Sequence, residues 1–276
     1  MDGNVIQAAV PLAIAAVLVW RGVRPVSARQ LRRFSDRFGV AVEDQDRTFV
    51  ATRLRRSRAT HSLAAAAGLV ITGLPAYMNL IDADRAGEFA VAPVGAAWMF
   101  GAAFAAVAAE VFLVQRPARK GEAALVERRP EHYVGARWRR IATALSVAAI
   151  VSFGVGVVGG YDGLLEASTG AAGAAIALFA VTVGLRRVAD RPRLDTQGHL
   201  RELDDALRSY GAHHVVGAAV ALSAISLSIA SQPVFNDVAP VLNLVVGLVG
   251  SVSLGVWHSL ARQEPWRVPQ PAGVGD

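Results

Sequence analysis

Apolar and polar positions in this chain are segregated on a scale far longer than a helical turn. Between successive Asp, Glu, Lys and Arg residues lie seven long uncharged windows: 3–20, 59–81, 89–109, 141–161, 167–185, 209–236 and 238–261. A helix crosses the hydrocarbon of a bilayer in about 20 residues, so each window is long enough to span. Outside them the longest uncharged stretch is 268–275. The pattern predicts an all-α, polytopic membrane bundle forming a single integral membrane domain. Its seven spans fall at about 4–20, 62–81, 89–114, 141–160, 167–185, 214–232 and 238–257.

The connectors between the windows are of two kinds. Residues 21–58 hold eleven Arg against four acids, 116–140 hold eight Lys or Arg against three, and 186–208 hold six Arg against five. The short connectors and the first four residues together hold seven acids and one Arg, Arg85. Basic loops are retained on the cytoplasmic side, which places 21–61, 115–140, 186–213 and 258–276 in the cytoplasm. The N-terminus is then outside and the C-terminus cytoplasmic, as an odd number of spans requires. Met1-Asp2-Gly3-Asn4 precedes the first window and Arg21, Arg24 and Arg29 follow it, the reverse of a cleavable signal peptide. Trp20, Trp138 and Trp257 mark cytoplasmic helix ends and Tyr77 and Tyr161 outer ones, an ordinary interfacial belt.

Inside the first and third long connectors a pattern recurs: Arg29-x-Leu31-x-x-Phe34-x-x-x-Phe38-Gly39 and Arg201-x-Leu203-x-x-Ala206-x-x-x-Tyr210-Gly211. Both segments predict a short amphipathic helix ending at its glycine. They would lie on the inner leaflet, with Arg toward anionic headgroups, or form a cap over the bundle. Asp44 or Asp46 is placed to cap a further helix that runs through Phe49, Val50 and Leu54 into the second span. Arg32, Arg33, Arg53, Arg55, Arg56 and Arg58 are the candidate contacts to anionic phospholipid headgroups. A cytoplasmic protein partner is the other occupant such a surface could take. Nucleic acid is not implied, because positive-inside retention already accounts for these arginines.

Composition narrows the classes further. The chain is 53% apolar and 18% charged and has no Cys, which excludes a disordered chain, a disulfide-stapled domain and any thiolate chemistry. Its Arg-for-Lys bias points to a bacterium, and so to a single plasma membrane or an inner membrane. Small residues at Ser152, Gly156 and Gly160 and at Gly247, Ser251 and Gly255, with the Ala- and Gly-rich stretch from Gly170, allow close helix approach. They predict a central fifth span. Ser223, Ser226 and Ser228 can bond across to neighbours or back to their own carbonyls.

Candidate chemistry is sparse. Glu110 is the charged residue inside a predicted span, where it either snorkels to the interface or binds a proton or cation. Gln7, Asn79 and Asn243 share the outer half of the membrane with Pro11, Pro75, Pro93 and Pro240 and could line an outward cavity. The six His are predicted on the cytoplasmic side, without the spacing of a metal site. A retinal protein is excluded, since Lys120, in a connector, is the sole lysine. No catalytic residue, metal site or cofactor is predicted. The expected function is a non-enzymatic, structural or regulatory role at the membrane. A small-solute or ion transporter is the alternative, and a membrane enzyme a third.

Overall fold

The computed structural model describes residues 3–81, 129–190 and 198–238. Most of these residues are helical, and there is no strand among them. In order they form α1 (Gly3–Val23), α2 (Ala28–Phe38), α3 (Asp44–Ile81), a 3-10 turn (Pro130–His132), α4 (Ala136–Gly159), α5 (Leu164–Phe179), a π-helical turn (Ala180–Gly184), α6 (Leu185–Asp190) and α7 (Gly198–Val238). Three stretches are long and apolar enough to cross a membrane: Ala136–Gly159, Ala167–Asp190 and Leu200–Phe235, with Leu12–Val23 a shorter apolar helix. The chain is therefore an all-helical membrane protein by the composition of its helices.

Local chemistry sets the boundaries of α2. Ser27 Oγ accepts from the Gln30 backbone N–H and Gln30 Oε1 accepts from the Ser27 N–H, a reciprocal capping box. At the other end Gly39 adopts a left-handed conformation, φ 62, and both its N–H and that of Val40 return to the Ser35 carbonyl. α3 then runs unbroken for 38 residues, with Asp44 and Asp46 inside its first turn rather than at its cap. There the carboxylates face the positive end of the helix dipole. α4 ends the same way as α2, at Gly160, φ 67, and a tight turn through Gly163, φ 81, starts α5. Gly160 is thus a stop signal, not a packing surface.

α1 lies along α3. A Cβ on Gly22 would come within 2.9 Å of Ser62 Cβ and 3.4 Å of Ala59 Cα, so the backbones meet where only hydrogen fits. The apolar part of α3 begins here, and α1 runs antiparallel beside it. In the second group α4, α5 and α7 pack together. A Cβ on Gly170 would strike the Ser226 carbonyl oxygen and the Ala230 nitrogen of α7, each at 2.7 Å. Ser146 of α4 and Ser223 of α7, both fully buried, join Oγ to Oγ at 2.8 Å, while Ser223 also donates to the Ala219 carbonyl. Ser223 therefore uses both of the bonding modes open to it, whereas the Ser226 Oγ is buried with no partner among the described residues.

The most enclosed helix is α7, not α5: 78% of its apolar window is buried among the described residues, against 44% for the α5–α6 stretch and 22% for α4. Small side chains let α5 approach α7 closely, but it is α7 that other helices surround. α7 also passes through Gly211 without stopping. Within the π-helical turn, Thr182 Oγ1 donates to the Leu178 carbonyl at 2.7 Å, an internal competitor for the helix ladder. The Leu185 N–H reaches back to Ala180, and Ala180, Val181 and Gly184 are buried against α7.

Candidate functional site

The arginine-rich ends of α2, α3 and α7 meet in a joint built from their amphipathic faces. Phe34 and Phe38 of α2, Val50 and Leu54 of α3, and Leu203 and Ala206 of α7 form one buried cluster, flanked by Leu31, Leu207 and Tyr210. The two segments with matching apolar spacing are thus each other's partners. The Phe face of α2 rests on protein, and α2 is the cap over the bundle that the sequence allowed as one of two placements. Arg32 and Arg33 stay exposed on its far side.

A row of rings crosses this joint. Phe34 and Phe38 stand 4.9 Å apart, each 6.4 Å from Tyr210; Tyr210 meets His214 at 4.5 Å, and His214 meets His61 of α3 at 5.0 Å. Each of two histidines is tied to its own helix by the same device. His61 Nδ1 donates to the Ser57 carbonyl and His213 Nδ1 to the Ser209 carbonyl, both at 2.7 Å. A carbonyl only accepts, so in both rings Nδ1 carries a proton. His214 Nδ1 is enclosed with no hydrogen-bond partner among the described residues.

Beneath the rings lies an ion pair out of contact with water. Arg208 Nε and Nη2 donate to one oxygen of Asp204 at 2.9 and 2.7 Å, and their side chains are 0% and 2% exposed. Arg208 Nη1 also reaches the Val188 and Ala189 carbonyls at 3.4 and 3.2 Å, closing the C-terminal end of α6. A buried charge needs such partners, since desolvation costs several kcal/mol per ion. From the 129–135 segment, Tyr133 accepts from Ser209 Oγ through its carbonyl at 3.0 Å and aims its hydroxyl at Asp205.

No protein-family model, curated protein or solved structure matches this chain. Its joint is accordingly read from its own chemistry.

Of the candidate headgroup contacts, Arg55 and Arg56 are exposed, whereas Arg53 and Arg58 are half-buried. Desolvation lowers the Arg53 pKa from its ordinary value, with Asp204 acting against that shift, and lowers that of Arg37, with Tyr210 opposing. Arg53 also lies over the Phe49 ring at 5.8 Å. Gln7 and Asn79 fall on α1 and α3, roughly 22–26 Å along their helices from the Gly22–Ser62 contact, hence at the same end of that hairpin. Glu110 and Asn243 lie outside the described residues. Among the described residues no group of three or more His, Cys, Asp or Glu is arranged to hold a metal ion.

Two features escaped sequence reasoning. Asp204 and Arg208 are legible as an i, i+4 pair, but such pairs are ordinarily exposed. The repeated Ser-x-x-x-His pattern at Ser57–His61 and Ser209–His213 was the available signal for the histidines.

Proposed function

We propose that this chain is a non-enzymatic, seven-span protein of the bacterial inner membrane, N-terminus outside and C-terminus in the cytoplasm, with a structural or regulatory role. In this reading the cap formed by α2 and the first half of α3 presents its arginines to anionic phospholipid headgroups. The supporting observation is the seating of α2: with Phe34 and Phe38 taken up by α3 and α7, what remains outward is Arg29, Arg32 and Arg33. A surface held rigidly by a buried aromatic cluster can select for charge without rearranging. Attraction to an anionic leaflet contributes about 1 kcal/mol per near-surface basic residue.

The test is reconstitution of the full chain into phosphatidylcholine bilayers with and without phosphatidylglycerol. Thermal stability should rise in the anionic bilayer, and the rise should shrink when Arg32, Arg33, Arg55 and Arg56 are replaced together by Gln. Equal stability of the natural chain in both bilayers overturns the reading. Reporters fused to the two termini should come up on opposite sides of the membrane.

A further inference from the structure

The contact at Gly22 brings two arginine-bearing turns face to face. Arg21 and Arg24 flank it at the end of α1, and Arg55 and Arg58 lie one turn before Ala59 and Ser62 on α3. Arg55 and Arg58, spaced i, i+3, share a face of α3, and Arg24 directly follows the last residue of α1. Arg58 bridges the turns: it donates to the Arg24 carbonyl and, at 3.2 Å, to Gln30 Oε1 at the start of α2. Its Nε is enclosed with no hydrogen-bond partner among the described residues. Arg24 stacks over the Trp20 ring at 3.6 Å and remains exposed.

The like charges acting at Arg58 are Arg21 and Arg55; Tyr210 opposes them, and no carboxylate of the described residues figures among the groups acting on it. The guanidinium groups of Arg21, Arg55 and Arg58, drawn together by a glycine contact, repel one another unless something negative lies between them. Exposed Leu12, Val17 and Trp20 continue from the site along α1, so the anion that enters it has apolar surface beside it.

We propose that Arg21, Arg24, Arg55 and Arg58 form a phosphate-binding site, filled by the headgroup phosphate of an anionic lipid whose chains lie along α1. This inference rests on the reading of the cap as a headgroup-facing surface, and narrows it to one place. Arginine suits the role because its fork pairs with phosphate oxygens two at a time. The flanking Trp20 belongs at the headgroup level.

The experiment uses the full chain incubated with vesicles of equimolar phosphatidylcholine and phosphatidylglycerol, extracted gently, and weighed intact with its retained lipid. Arg21→Gln with Arg55→Gln is the decisive variant, since both residues are exposed and the bonds of Arg58 stay in place. Phosphatidylglycerol should be retained over phosphatidylcholine in the natural chain, and that preference should fall about tenfold in the variant. It should survive Arg32→Gln with Arg33→Gln on the far side of α2. Equal loss in both variants overturns the local site and leaves the broader headgroup reading standing. Retention untouched by Arg21→Gln with Arg55→Gln overturns the site outright. Inorganic pyrophosphate added to delipidated protein in detergent separates the sources. Stabilisation that needs Arg21 and Arg55, without lipid preference, keeps the phosphate site but overturns its assignment to lipid.

Discussion

The segments 29–39 and 201–211 carry the same spacing of apolar residues and the same closing glycine, yet one is a separate helix of 11 residues and the other opens a helix of 41. Gly39 stops α2 in a left-handed turn. Gly211 interrupts nothing. What differs is the chain beyond. After Gly39 come Val40, Ala41 and Val42, a β-branched connector ahead of the acidic start of α3. After Gly211 come Ala212, Val215 and Val216, each at most 1% exposed. A glycine inside a helix costs about 1 kcal/mol, whereas burying a single Val side chain gives about 1.5 kcal/mol or more where water is the alternative. The two Ser-to-His turns differ as well, since Ser209–His213 spans Gly211 and clamps the helix across it. A terminal signal in the sequence is thus conditional on what packs after it.

The strongest break of this comparison is at Arg208. α7 has a fully buried ion pair under its first turns, and the same guanidinium closes the end of α6. Arg208→Ala should cost about 3–5 kcal/mol, because Asp204 is left buried and unpaired. Circular dichroism of thermal unfolding in detergent measures it. Replacing both residues together by apolar ones should cost less than the single change. A single variant that unfolds with the natural chain would show that the pair does not support α7.

Alanine at the two glycines should give opposite signs. Gly39→Ala forces a Cβ into the left-handed region; nothing lies within 4 Å of it, so the expected loss of about 1–2 kcal/mol is conformational alone. Gly211→Ala removes backbone freedom from the unfolded chain at a position already helical, and should stabilise by up to about 1 kcal/mol. The same sign at both positions would mean that the motif, not its context, decides.

How far the fold was legible follows from the same physics. The uncharged windows predicted helices where α4, α5 and α7 run, and α3 continues into its apolar half as expected. α7 starts at Gly198 rather than as a separate helix before residue 214, for the reason given above. Periodicity showed that Phe34 and Phe38 share a face with Leu31, but not what occupies that face. Lipid and a neighbouring helix demand the same apolar stripe, and the occupant, Leu203 and Ala206, comes from far along the chain. His61 and His214 meet only because α3 and α7 do. Among the candidate site residues, the exposure of Arg32, Arg33, Arg55 and Arg56 follows directly from helical phase. Gathering Arg21 and Arg24 with Arg55 and Arg58 depended on Gly22, one glycine among 26.

The smallest expected effect concerns the outer support of α7. The 129–135 segment holds Tyr133 against Ser209, and Arg139 anchors that segment by donating to Glu131. The hydrogen bond from Arg139 holds the Glu131 carboxyl below its ordinary value. The folded chain therefore takes up this proton at lower pH than the unfolded chain does. The stabilisation is complete above the unfolded value and is lost as pH falls through the lowered folded one. The pair is partly exposed, 28% and 46%, so solvent screening keeps its worth to a few tenths of a kcal/mol. Glu131→Gln should lower stability slightly at about pH 6, and the difference should shrink at acid pH, as the natural carboxyl takes up its proton. If the variant and the natural chain differ equally at both, the brace does not act through this charge, and α7 owes its passage through Gly211 to the buried pair and the core alone.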